Sequence, residues 1–296
     1  MSPARLHRER LAAAAAKPDP STIVSSDGGG QPSLPTITPA LEHRLTTAIA
    51  ASAGQSDADV QLAIGVDPAV AQIMLRLTHD LRRLKEIQSI EQKVEAKRGM
   101  LPDYREWCDL QLNAGAAIEG NELPSSGADD VLPTMMIWAI DAGDWPRALE
   151  LAEHVLRFNV PLPTRYQRAA APLIVEEISV AALKKQARDE AFPLDVLEQV
   201  EVLTADADMH DEIRAKLKKA IGTELARAAG EMESGTPEHL AAVSKALAPL
   251  QRAQDLHERV GTKGLVKQLR KVLANAAKEQ ASQAAEQKQA GTAPAA

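Results

Sequence analysis

The chain has 296 residues, of which 45% are hydrophobic but only 2% aromatic. Strands draw on aromatic and β-branched side chains, so this composition predicts an all-helical protein rather than a β or mixed fold. The formal charge of −7 excludes a protein that coats nucleic acid uniformly, and directs attention to where cations cluster. A lone cysteine, Cys108, excludes an internal disulfide and fits a reducing compartment. No h-region of secretory length and no apolar run of membrane length is present, so a soluble intracellular protein is expected.

Residues 1–17 form a basic arm, with Arg5, Arg8, Arg10 and Lys17 against Glu9. Residues 18–68 are rich in Pro, Gly and Ser and predict a flexible linker with one short helix near residues 40–53. Inside it, Ala50, Gly54 and Val60 fall at helix-turn-helix spacing. The would-be recognition helix carries Asp57 and Asp59, which oppose phosphates, so this motif is a poor DNA reader.

Residues 69–98 predict one long, coiled-coil-like helix. Val70, Ile73, Leu77, Leu81, Leu84, Ile87, Ile90 and Val94 recur at three- and four-residue steps, and Ile73, Leu77, Leu81, Leu84, Ile87 and Val94 suit an oligomerisation seam. Arg76, Arg82, Arg83 and Lys85 lie outside that seam as candidate phosphate contacts. Gly99 and Pro102 are expected to end the helix.

Residues 99–230 predict a succession of core helices. Tyr104, Trp107, Leu110 and Ile118 mark the first. In residues 128–163, Asp129 and Asp130 stand where an N-cap belongs, Gly143 closes that helix, and Asp144 caps the next, with Pro146 in its first turn. Pro172 and Pro193 open two more, and Asp208 is expected to cap a helix carrying Ile213, Leu217, Ile221 and Leu225. Charge is strongly acidic from Asp103 to Glu153, a candidate protein-docking region. Residues 231–277 predict C-terminal helices with a basic face (Lys267, Arg270, Lys271), Thr236-Pro237 opening the first and Pro249 kinking or ending it. Residues 278–296 are Ala/Gln-rich and are expected to be disordered.

The search for chemistry returns little. No Walker A loop exists to cradle phosphates, so an ATPase function is not encoded here. One cysteine and scattered histidines make no zinc site, and no cofactor or metal is implied. Asp206, Asp208 and Asp211 form the densest acidic group and are the weak catalytic candidates. A first helical turn favours carboxylates without any metal, and Mg²⁺ is relevant only if these residues cut DNA.

The wording of several segments resembles the GpM-type small terminase subunit of tailed phages. It includes D-D-x-L, a Trp, D-x-G-D and A-L-E in residues 129–150. Leu101-Pro102 with Trp107 before that stretch, and Glu176-Glu177-Ile178 and the block from Thr204 to Leu217 after it, stand in the same order. The resemblance spans roughly residues 70 to 275 and implies an oligomeric subunit that recognises the packaging start on double-stranded phage DNA. It implies a large subunit that supplies ATPase power, no membrane association, and work in the host cytoplasm. The family is also described as the terminase endonuclease subunit, although no nuclease motif is visible in this chain. Two rival readings stay open: a catalytic endonuclease, and a helical adaptor using the tetratricopeptide-like hairpin of residues 144–163 without DNA.

Overall fold

The computed structural model describes residues 67–290, and every described segment of regular structure is helical. The arm with Arg5, Arg8 and Arg10, the linker through residue 66 with its helix-turn-helix spacing, and residues 291–296 lie outside the described residues.

Helix α1 (Pro68–Glu86) starts where Asp67 accepts from the Ala69 amide at 2.8 Å and Pro68 occupies the first turn. It stops at Ile87, which is extended (φ −79°, ψ 127°). Ser89 then caps α2 (Ile90–Met100), its Oγ accepting from the Gln92 amide. The single helix expected over residues 69–98 is therefore two. The break turns Ile90 outward, 81% exposed, while Leu77, Leu84 and Met100 enter one core. Gly99 lies within α2, and Pro102 opens a 3-10 turn (Leu101–Tyr104) that buries Tyr104 completely.

Helix α3 (Arg105–Ala116) buries Cys108 and Gly115 and leaves the expected core residue Leu110 exposed. Burial pushes the Cys108 thiol up to about 12, so it stays protonated. Helix α4 (Val131–Ala142) is apolar on all sides, and each residue from Val131 to Ile140 is buried. Such a helix belongs at the centre of a core. Here α1, α2, α3, α5 (Trp145–Arg157) and α6 (Ala170–Gln186) pack around it. Gly143 closes it in the left-handed region (φ 74°), and Asp144 accepts from the Arg147 amide to start α5, as the sequence predicts. Asp130 holds the N-cap position of α4 without a side-chain cap bond. Asp129 instead accepts from the Ser126 amide at 2.8 Å and closes the preceding turn.

Helix α7 (Leu194–Leu203) follows Pro193, and α8 (Asp211–Gly230) follows His210. The helix thus begins at Asp211, and Asp208 is not its cap; Asp211 and Glu212 occupy its first turn. Helix α9 (Pro237–Leu256), capped by Thr236 Oγ1 accepting from the His239 amide, does not end at Pro249 but continues past it. Ala246, Leu247, Leu250 and Ala253 are buried on both sides of that proline, so packing against α8 outweighs the lost backbone bond. Helix α10 (Lys263–Ala290) extends past the expected boundary at residue 278, because the Ala/Gln-rich run consists of good helix formers with no Gly or Pro before Gly291.

Two hydrophobic clusters result. The larger gathers side chains from α1 to the first half of α8. The smaller joins Ala229 of α8 to Val243, Leu250, Val266 and Leu269 of α9 and α10. Helix α8 contributes to both, and Leu225 packs against each. Gly222 allows α8 and α9 to approach closely: a Cβ there would meet Leu250 Cγ at 2.5 Å.

One buried carboxylate ties α8 to α6 and to the segment that precedes α7. Glu224, 2% exposed, accepts from the Phe192 amide (3.1 Å), from Gln186 Nε2 (2.9 Å) and from Arg227 Nε (3.0 Å). Glu224→Ala would leave the buried Phe192 amide without an acceptor. The expected loss is about 2–4 kcal/mol, measured as a lower urea midpoint. Glu224→Gln keeps one acceptor oxygen and should lose less.

Candidate nucleic-acid interface

At 100° per residue, Arg76, His79, Arg82 and Arg83 occupy an arc of about 120° on α1, opposite the buried Leu77 and Leu84. All four are exposed, and Glu86 is the single carboxylate in that arc; Lys85 is exposed about 60° beyond Arg82, outside it. Arg76 is steadied by Asp103, donating to its carbonyl at 3.2 Å and lying 3.5 Å from its carboxylate. Arg82, Arg83 and the steadied Arg76 together present a one-sided cationic face, the arrangement that contacts a phosphate backbone without reading bases.

Nearby cations serve other ends. Lys97 pairs with Asp141 at 2.5 Å, and Arg98 donates to the Ala142 carbonyl at 3.1 Å. Both thereby neutralise the negative C-terminus of α4. Within the acidic stretch, Arg147 sits between Asp109 (2.6 Å) and Glu150 (2.7 Å) and donates to the Arg105 carbonyl, joining α3 to α5.

A second cationic face lies on α10. Lys263, Lys267, Arg270, Lys271 and Lys278 fall within an arc of about 100°, and residues 263–278 contain no carboxylate. Val266 and Leu269 are buried on another side of the helix. Lys278 lies in the stretch that the sequence predicts as a tail; its helical register with Lys267 and Lys271 is the signal that places it here.

The proposed oligomerisation seam is divided. Leu77 and Leu84 are buried in the chain's own core, and Ile73, Leu81 and Ile87 pack against that core while half-buried. Val94 is half-buried on α2, beyond the break. Asp206 and Asp208 are exposed between α7 and α8, and Asp211 is exposed at the start of α8. Among the described residues, no group of three or more His, Cys, Asp or Glu side chains could hold a metal ion. No helix among them is long and apolar enough to cross a membrane.

Fold and surface define an all-helical protein with two separate cationic faces on an acidic body. A family model described as the phage small terminase subunit matches residues 74–212, from α1 to the first turn of α8. Over 235 residues the chain is 33% identical to the "Terminase, endonuclease subunit" of Escherichia phage P2, covering 79% of this chain and 85% of that protein. The chain belongs to the phage small terminase subunit family. Membership implies DNA and a terminase large subunit as partners in packaging a phage genome. No solved structure matches it.

Proposed function

We propose that this small subunit is the DNA-recognition component of its terminase. It works in the host cytoplasm as a homo-oligomer, binds the cohesive-end region of phage DNA and presents it to the ATPase large subunit. The observation that carries this reading is the outward face of α1, where Arg76, Arg82 and Arg83 lie together and exposed. The arm with Arg5, Arg8 and Arg10 precedes α1 in the chain and would add salt-sensitive, sequence-independent contacts. Repeating weak contacts around an oligomer converts them into tight binding through effective concentration. The acidic stretch from Asp103 to Glu153 suits docking of the large subunit.

The name of the phage P2 relative favours a second reading, in which this chain itself cuts the cohesive-end site with Mg²⁺. One experiment separates the two: the purified chain, without large subunit, is incubated with cohesive-end DNA and Mg²⁺ while binding and cutting are followed together. The recognition reading expects a retarded complex and intact DNA. Nicking that survives repurification and disappears in Asp208→Ala would assign catalysis to this chain. Absence of any DNA affinity at low salt would leave a helical adaptor.

A further inference from the structure

The sequence between Asp189 and Glu212 holds nine carboxylates and not one lysine or arginine. Helix α7 lies within it. Asp195, Glu198 and Val202 share an outward arc of about 60° on that helix, with Val202 74% exposed. Glu201 is paired with Lys218 and Glu212 with Lys216, whereas Asp195, Glu198, Asp206 and Asp208 have no ion-pair partner among the described residues. An apolar centre within a charged rim is the anatomy of a protein-docking surface.

Charge segregation identifies what fits it. Residues 67–262 carry 33 carboxylates against 23 Lys and Arg, while residues 263–290 carry 2 against 6. The cations of α10 are thus the chain's own complement to α7, and Lys267, Arg270, Lys271 and Lys278 have no ion-pair partner among the described residues. Within one chain the two surfaces do not meet: α7 packs on α5, α6 and α8, and α10 packs on α9. Beyond Leu273, α10 has no buried residue through Gln283, and a projecting helix of this kind gains stability when a neighbour covers it.

We propose that the acidic face of α7 is the docking surface for the cationic face of α10 from a second copy of this chain. The two patches are different surfaces of one molecule, so the contact is head-to-tail and generates a ring or a filament rather than a two-fold dimer. It gives the homo-oligomer proposed above an interface other than the seam on α1, where Leu77 and Leu84 are already buried. It uses no residue of the α1 face, so its failure would leave the DNA reading standing.

The test uses the full-length chain and measures mass by sedimentation equilibrium at 0.1 and 0.5 M NaCl, salts chosen to bracket roughly the range over which a Debye length shrinks below a contact's reach. Wild type is expected above monomer mass at the lower salt and to associate at least about tenfold more weakly at the higher. Asp195→Lys with Glu198→Lys, and separately Lys267→Glu with Arg270→Glu, should each weaken association at least about tenfold while circular dichroism stays unchanged. Mixing the two charge-reversed proteins should restore the wild-type mass, because each then meets a complementary face. A monomeric wild type, or variants that keep the wild-type mass, would overturn the proposal. So would a mixture that fails to recover. A Lys267→Glu/Arg270→Glu protein that keeps its mass but loses DNA affinity would reassign α10 to DNA.

Discussion

Replacing Arg82 and Arg83 with glutamate is expected to lower affinity for cohesive-end DNA by at least about 100-fold at moderate salt, and to leave the oligomer intact. Each lost phosphate contact removes about 0.9 from the slope of log K against log salt, and reversal adds repulsion to the loss. Both side chains are exposed on α1, so the helix content measured by circular dichroism should not change. Filter binding across a salt series reads affinity and slope together. Binding that matched wild type in both would take α1 off the DNA surface and leave the N-terminal arm as the main contact.

Trp138→Ala should be the most destabilising single change in the described core. Trp138 is 1% exposed at the middle of α4 and meets Tyr104 edge-to-face, with ring centroids 6.0 Å apart. The Tyr104 hydroxyl donates to Asp80 Oδ2 at 2.7 Å, so the indole is the inner end of a chain of contacts tying α4, the 3-10 turn and α1 together. Burial and the neighbouring carboxylate hold that phenol far above its ordinary range and keep it a donor. Truncating a buried aromatic costs about 3–5 kcal/mol, a large part of the roughly 5–15 kcal/mol that holds a domain folded. Tyr104→Phe removes only the hydrogen bond and should cost about 1 kcal/mol. Urea unfolding of both proteins checks the pair; a midpoint for Trp138→Ala close to wild type would mean that α4 is not the centre of the core.

Much of the fold was legible in the residues because the helix stops are local. Gly143 followed by Asp144, Pro193 before α7, and Thr236-Pro237 before α9 each act through their own backbone geometry, and each stands at the predicted boundary. Features decided by packing were not legible. The apolar rhythm of residues 69–98 runs on through Ile87 and Ile90 with no Gly or Pro between them, although the chain bends there to bring Leu84 and Met100 into one core. Pro249 reads as a breaker, yet the buried side chains flanking it on the α8 side hold the helix together. The same holds for the surface. Arg82-Arg83 and Lys97-Arg98 look alike as basic pairs, but the second pair is committed to the C-terminus of α4. Seam residues and core residues likewise share one periodicity, and only the three-dimensional neighbours of Leu77 and Leu84 tell them apart.

The double membership of α8 has a mechanical side. It is the element common to both clusters, with Gly222 where it meets α9 and Glu224 bonded toward α6. Helix α9 packs along α8 and α10 packs on α9, so the smaller cluster is joined to the larger one chiefly through α8. A substitution that shifts α8 is therefore expected to be felt in both clusters, whereas one confined to α9 or α10 acts within the smaller cluster, away from the arginines of α1.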